Sequence, residues 1–396
     1  MRGPRHRVRD RPGRSGCGGH ERRRTGRRRP RSGAVIVAEA PGKLFVNGEY
    51  AVVEPGRHAV IVGVSRLIRA SLRAASADEG STVSSHQFGA QPVPVNIDGD
   101  LVSIDAPGAD LVRECIRVLV QLAHERGIEP QPFALDIESE LDDVSGRKFG
   151  LGSSGAVAVV TVRAVAEHFG INVGDDAVYR LASLATIELR PAASCADIAT
   201  STLGGWVHYA SPDRLAAREL RRRSGVEASL VEAWPGLVLE ALPSPSSVVL
   251  HVGWTSAPAS TAELVSTLHA GDWRSTEQYA AFLTESDRIT AALVAAVRAE
   301  RSELALAAIR DAEANLEALD ELSGIGIRTE ALSALISAAR SVGIPAKTSG
   351  AGGGDCGIAL APAHNEELDA AWRAAGIEVL DLHVVPHRRV GVREHG

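Results

Sequence analysis

The sequence predicts an α+β fold built as two domains, and three observations predict it. The chain has 396 residues, more than one hydrophobic core usually holds. Short apolar runs broken by Pro and Gly fill its first part, whereas long stretches with helical spacing fill its later part. Apolar residues make up 44% but aromatics only 4%, so Ala, Val and Leu carry the core, a composition suited to helices packed on sheets.

Along the chain, Ala34–Ala38, Tyr50–Val53, Ala59–Val64 and Ile68–Leu72 read as strands of a mixed sheet, with Pro41-Gly42 as a turn. Positions 75–108 are polar and read as a hairpin or exposed loop. Leu111, Val112, Cys115, Ile116, Val118, Leu119 and Leu122 repeat at helical spacing, so 111–125 is a helix. Phe133–Glu138 alternates as a strand does. Ala156–Phe169 is apolar, helical in length and stopped by Gly170, with Ser153 or Ser154 placed to cap its start. A further helix spans 176–189, closed by Pro191, and Trp206–Tyr209 is a strand. The charged run Arg218–Ser224 reads as a domain junction. Beyond it, Leu237–Leu239 and Ser247–Val252 are strands of a second unit. Thr261–Leu268, Glu277–Arg298, Glu303–Leu322 and Thr329–Val342 are helices. A strand from Ile344, a strand Ile358–Ala361, a helix over 365–375 and a last strand Val379–Val385 complete the series. The expected division is a disordered tail over 1–33, a first domain over 34–220 and a second over 221–396.

Net charge is −6, unevenly spread. Residues 1–31 hold thirteen Arg against Asp10 and Glu21, about +11, which leaves about −17 on the remainder. An acidic body argues against a nucleic-acid-binding core. The Arg-rich head has no apolar run, so it is neither a secretory signal nor a membrane span. It reads as a disordered extension or as upstream sequence from a mis-set start; RNA or anionic-surface binding is the other reading. Cys17, Cys115, Cys195 and Cys356 form no CxxC and no zinc spacing, which fits reduced thiols in a cytoplasm. No stretch of 18 apolar residues calls for a transmembrane helix.

Three segments carry the chemistry. Lys148-Phe-Gly-Leu-Gly-Ser-Ser-Gly155 and Lys347-Thr-Ser-Gly-Ala-Gly-Gly-Gly-Asp-Cys-Gly357 each set glycines, hydroxyls and a lysine side by side, and Ala40-Pro-Gly-Lys43 adds a third lysine. Glycine-rich backbone lets successive N–H groups form a concave anion site, and a neighbouring lysine favours phosphate. The first segment precedes a helix, whose free N–H groups and dipole attract anions. Both contain GxGxxG, but neither has the strand-then-helix setting of a dinucleotide site, and no GxxxxGK[ST] occurs. Together they predict a protein that handles several phosphates at once.

Pro41-Gly-Lys-Leu-Phe-Val-Asn-Gly-Glu-Tyr50, Gly150-Leu-Gly-Ser-Ser154 and Lys347-Thr-Ser-Gly-Ala-Gly-Gly-Gly-Asp355 resemble, in order, the three motifs of the GHMP kinases. The resemblance runs from about residue 34 to the C-terminus. Within the family, the details are most similar to the bacterial-type phosphomevalonate kinases: Tyr50, Lys148-Phe-Gly, Asp197-Ile-Ala-Thr-Ser with Gly204-Gly-Trp206, and Gly253-Trp-Thr-Ser-Ala-Pro-Ala-Ser260. The resemblance implies a first domain like domain 2 of ribosomal protein S5 and a ferredoxin-like second domain. It also implies transfer of the ATP γ-phosphate to 5-phosphomevalonate, with Mg²⁺ as cofactor.

By the same resemblance, Gly150, Leu151, Gly152, Ser153, Ser154 and Gly155 wrap the ATP phosphates. Ser154 and Glu188 reach Mg²⁺. Lys43 and Asp197 are catalytic, Lys43 screening the repulsion between two anionic reactants. Lys148, Ser194, Ser260, Lys347, Ser349, Gly350, Ala351, Gly352 and Gly353 join them around the acceptor. A phosphate acceptor has its second pKa at about 6, so it needs little deprotonation, and Asp197 is expected to orient it rather than take a proton. Plainer roles stay open: Asp197 as a helix-start cap, Glu188 as a solvated helix residue, Lys148 as a surface lysine, Glu49 as packing near the first motif. His383 and His387 are four apart, but Pro386 spoils a helical metal pair. The segment Ala192–Asp197 is poorer in glycine than related loops, and a Cβ at Ala196 restricts backbone approach, which leaves the register of Ser194 open. Rival readings are another kinase of the family acting on mevalonate, a sugar or homoserine, and a non-catalytic ligand-binding relative. Monomer and homodimer are both open.

Overall fold

The computed structural model describes residues 34–89, 91–142, 147–256, 272–387 and 392–395, besides the single positions 1, 264 and 267. The expected tail, the helix over 261–268 and Ser260 fall outside the described residues, apart from those single positions.

The first domain is a large sheet with helices on one face. Strand β1 (Val35–Asn47) pairs antiparallel with β2 (His58–Ala74), the longest pairing in the fold. Pro41-Gly42 is therefore not a turn but stays inside β1, opposite a register shift that leaves Ser65 and Arg66 of β2 without partners on β1. Likewise, Tyr50–Val53 is not a strand: Ala51–Val53 is a short 3-10 turn after a positive-φ Tyr50. The expected strands over 59–64 and 68–72 are a single strand, β2, which stays paired with β1 on both sides of the register shift at Ser65-Arg66. The polar stretch 75–108 holds β3 (Ser81–Ser85), β4 (Val93–Asp98) and β5 (Leu101–Ile104), and β6 (Phe133–Ser139) lies between β2 and β3.

Helices α1 (Asp110–Glu125), α2 (Ser153–His168) and α3 (Asp175–Leu189) cover this sheet. The middle one, α2, packs on β1 and β2 and is itself covered by α1 and α3. It is apolar around its whole circumference, as a central helix must be. A short α4 (Ala196–Leu203) runs into β7 (Trp206–Ala210), which pairs with β2. The expected junction at 218–224 is helical: α5 (Arg214–Val231) exposes Arg218, Arg222 and Arg223, tucks Arg221 against Gln121, and bends at Gly225. Next, β8 (Val238–Leu242) joins β7 in the first sheet, not the second.

The second sheet has the order β10 (Ala346–Thr348), β11 (Cys356–Ala361), β9 (Val249–Trp254), β12 (Glu378–Leu380), antiparallel throughout. That order, with helices α6 (Glu277–Arg298), α7 (Ser302–Ser323), α8 (Glu330–Ser341) and α9 (Glu366–Ala374) between strands, is a ferredoxin-like arrangement. The chain then returns: Val384 bridges Val64, and β13 (Val392–His395) pairs with β1. The first sheet thus takes residues from both sides of the expected 220/221 boundary.

Several long-range contacts seat the second domain on the first. Asn47 Nδ2 donates to Thr290 Oγ1 at 2.7 Å and Ser286 O at 3.1 Å. Phe149 packs on Trp254 with ring centroids 4.7 Å apart. A small core of Tyr50, Val53, Tyr279, Phe282, Leu316 and Ile327 bridges the two.

Burial of imidazoles makes the fold acid-sensitive. His168 donates toward Gln131 O and Pro132 O, and burial pushes its pKa below the usual value; burial, then His208, does the same to His58. The unfolded chain takes up these protons near pH 6.5, while the folded chain resists until lower pH, so stability is lost as pH falls below about 6.5. We expect Tm to drop between about pH 7 and about pH 5.5, and His168→Gln to flatten that slope; an identical slope in the variant would contradict this origin.

Candidate active site

The N-terminus of α2 is built to receive an anion. Its N-cap is Gly152, at φ 76°, with no side-chain cap. A left-handed conformation there suits glycine alone among these residues. Ser153 and Ser154 were expected to cap the helix; instead they lie inside its first turn. The amides of Ser153, Ser154 and Gly155 therefore have no intrahelical acceptor, and the positive end of the helix faces the cleft.

Lys43 and Asp197 stand on either side of this turn. Lys43 is held twice: its backbone N–H donates to Leu151 O at 2.7 Å, and its Nζ donates to Gly150 O at 3.1 Å. Asp197 is in the first turn of α4, and its Oδ1 accepts from the N–H of Ile198 at 3.0 Å. It is not the N-cap; Cys195 is, at φ 59°. The strained position in this glycine-poor segment is thus Cys195 and not Ala196. A Cβ built on Gly152 would lie 2.8 Å from Lys43 Cε and 3.4 Å from Asp197 Cβ, and one on Gly155 would lie 2.7 Å from Asp197 Cγ. The glycines of this motif are what lets a lysine and a carboxylate close over the phosphate loop.

The third motif comes from the second domain and meets the same point. A Cβ on Gly350 would have Lys43 Nζ as its nearest neighbour, at 3.8 Å, and Gly150 abuts the Asp355 side chain. Cys356 Sγ lies 3.1 Å from Phe149 O. Thr255 N–H and Oγ1 both donate to Asp355 O, at 2.9 and 3.0 Å. Among the described residues, four of the five non-glycine positions with positive φ, namely Tyr50, Cys195, Ser256 and Asp355, sit around this cleft, and such conformations cluster at functional sites.

Not every expected residue faces the cleft. Lys347 is fully buried, its ammonium donating to Glu49 Oε1 and, at 2.6 Å, to Thr348 O. Burial pushes its pKa down, against the pull of Glu49. It fastens the third motif to the first domain, and its buried ammonium does not face the cleft. Ser349 is also consumed: its Oγ donates to Phe45 O at 3.0 Å and its N–H to Cys356 O at 3.0 Å. The Gly353 N–H donates to Ile327 O at 2.9 Å. Gly350, Ala351 and Gly352 remain, whose amides donate to no backbone carbonyl among the described residues. Tyr50 Oη anchors the loop through Ala351 O.

Ser154 and Glu188 are not brought together as a metal pair. Ser154 Oγ accepts from Arg190 Nη2 at 2.6 Å, while Glu188 is engaged by Arg218 at 3.3 Å. Ser194 Oγ accepts from Ala196 N–H at 3.4 Å, and its carbonyl accepts from Tyr209 Oη at 2.5 Å. Lys148 is exposed at the cleft mouth, beside an arginine-on-aromatic pair: Arg66 lies 4.0 Å from the Phe149 ring and Arg147 5.0 Å from the Trp254 ring. Sequence reasoning missed Arg190, Arg66 and Arg147, since arginines next to a motif carry no signal that separates them from surface arginines. Elsewhere, His251, His364 and Asp369 gather metal-type donors, but Asp369 already faces two imidazoles and, at 4.0 Å, Arg373.

With this geometry in place, the chain was compared with known proteins. The family models "GHMP kinases N terminal domain" and "GHMP kinases C terminal" match residues 110–205 and 293–378. A phosphomevalonate kinase of Streptomyces sp. (strain CL190) is 44% identical over 88% of this chain and 96% of its own. The chain belongs to the GHMP kinases. Among solved structures of similar fold, a Lin0012 protein from Listeria innocua has a TM-score of 0.85 at 32% identity, covering 91% of this chain and 99% of that one. The Streptococcus pneumoniae phosphomevalonate kinase in complex with phosphomevalonate and AMPPNP has a TM-score of 0.77 at 29% identity, covering 88% and 99%. As in a two-domain GHMP kinase, the cleft lies between the domains, and both contribute to it. Among the described residues, no helix is long and apolar enough to cross a membrane.

Proposed function

We propose that this GHMP kinase is a phosphomevalonate kinase, transferring the γ-phosphoryl group of ATP to the phosphate of 5-phosphomevalonate to give 5-diphosphomevalonate and ADP, a step of the mevalonate route to isoprenoids. The observation that carries the reading is the convergence on one cleft of the α2 N-terminus, the Lys43–Asp197 pair and the third glycine motif, in a chain 44% identical to a phosphomevalonate kinase. An oxygen of the acceptor phosphate forms a bond to the γ-phosphorus while the bond to the β–γ bridging oxygen breaks and its electron pair leaves with ADP. The amides of Ser153, Ser154 and Gly155 hold the triphosphate. Lys43 sits between the reactants and offsets their repulsion, the main obstacle when both are anions. Asp197 orients Lys43 and the acceptor; the acceptor is a dianion above its pKa of about 6, so turnover should fall as pH drops through that value. The amides of Gly350, Ala351 and Gly352 and the exposed Lys148 supply the donors that a second phosphate demands.

Ser154 fits an oxygen-ligated ion, since a hydroxyl has two acceptor lone pairs and Arg190 uses one; Glu188, engaged by Arg218, does not fit as placed. A magnesium ion bound with the nucleotide would neutralise charge on the β- and γ-phosphate oxygens. The reading places the enzyme in the cytoplasm, in keeping with the buried free thiols Cys115, Cys195 and Cys356.

An ADP-release assay across mevalonate, 5-phosphomevalonate and homoserine tests the acceptor. We expect turnover with 5-phosphomevalonate; turnover with mevalonate alone would overturn the reading. Asp197→Asn should lower kcat by about 10²-fold while ATP affinity stays within a few-fold, and an unchanged kcat would remove Asp197 from the mechanism.

A further inference from the structure

The structure assigns a further catalytic residue, Arg190, as the guanidinium that stabilises the transferring phosphoryl group. This rests on the kinase reading above and names a residue that neither the motifs nor the comparisons point to.

Arg190 terminates α3, where its N–H donates to Thr186 O at 2.8 Å. The chain then turns, with Ala193 N–H donating to Arg190 O at 3.0 Å, and leads within a few residues to Asp197. Arg190 and Asp197 are thus fixed on one short connector beside the phosphate loop. From there Nη2 reaches Ser154 Oγ at 2.6 Å, in the first turn of α2, where the free amides face the cleft. Its field also reaches the connector itself: burial and then Asp197 push the Cys195 thiol up, while Arg214 and Arg190 pull it down.

Two features separate Arg190 from an ordinary surface arginine. Among the described residues no acid pairs with it, whereas its neighbour Arg218 holds Glu188 and Arg222 holds Glu219. Its side chain is exposed toward solvent with a single acceptor contact, so most of its five donors are available. A guanidinium presents paired N–H groups that match two phosphoryl oxygens at once, which an ammonium cannot do. Lys43, on the opposite strand, has one hydrogen on Gly150 O. A triphosphate and a phosphorylated acid together bring several negative charges into this cleft. Lys43 addresses their approach, and Arg190 the charge that gathers on the equatorial and β–γ bridging oxygens as the bond to ADP breaks.

The experiment compares wild-type, Arg190→Ala and Arg190→Lys enzymes with ATP and whichever acceptor the wild type turns over, so a wrong acceptor would not be mistaken for a wrong arginine. We expect kcat to fall by about 10²–10³-fold in Arg190→Ala, with KM for the acceptor within a few-fold. Arg190→Lys should fall nearly as far, because it keeps charge but not the paired donors. Millimolar guanidinium ion should restore part of the Arg190→Ala rate, and KCl of equal ionic strength should not. A kcat within two-fold of wild type in Arg190→Ala overturns the proposal. So does a loss that guanidinium fails to rescue, since that would mark a structural role. Should Arg190→Ala not fold, Arg190→Lys decides: full activity there overturns the proposal.

Discussion

Replacing Lys43 with Met lowers kcat by about 10²–10³-fold and leaves the protein folded. The side chain is half-exposed, and its aliphatic stem packs against Gly152, so methionine keeps the packing. What disappears is the ammonium on Gly150 O, the charge proposed to offset the repulsion between the two substrates. On the proposed reading the amides of the α2 first turn hold ATP, so its affinity should change by only a few-fold. Steady-state kinetics with both substrates varied, together with calorimetric ATP binding, check this. A kcat within three-fold of wild type would show that Lys43 does not face the reacting groups.

The second large effect is on stability. Lys347→Met leaves Glu49 as an unpaired buried carboxylate, and breaking a buried pair costs about 3–5 kcal/mol. Glu49 Oε2 already lacks a hydrogen-bond partner, so the loss of Oε1's partner leaves the whole group unsatisfied. The double variant Glu49→Gln/Lys347→Met removes the stranded charge and should recover much of the loss. Denaturant melts of the single and double variants measure both. Equal stability of Lys347→Met and wild type would mean that the ammonium is not buried where it is described. The prediction also separates two lysines that look alike in sequence: loss of Lys43 affects catalysis, whereas loss of Lys347 affects the seating of the second domain.

Most helices were readable because their signals are local. The α6 span matches its apolar spacing residue for residue, and α1, α3, α7, α8 and α9 lie within a few residues of expectation. The failures occur where tertiary pairing overrides local chemistry. Pro41-Gly42 reads as a turn but is held in the β1–β2 ladder opposite a bulge of β2, and the strand at Leu237–Leu239 reads as part of a second unit but pairs, as Val238–Leu242, with β7. Nothing near either segment announces its partner.

The site divides in the same way. The sequence alone marked the glycine-bearing segments at 148–155 and 347–357 as candidate anion sites, because positive φ at their glycines, and free first-turn amides in the first of them, follow from residues next to one another. Only the tertiary structure decided which side chains reach those anions. Lys43 and Lys347 both adjoin a motif, yet one is directed into the cleft and the other is paired with Glu49, in the turn that follows β1. Likewise Ser154 meets Arg190 and Glu188 meets Arg218 only because α2, α3 and α5 pack together. The destination of a long charged side chain is set by partners far away in the chain, and local spacing holds no information about them.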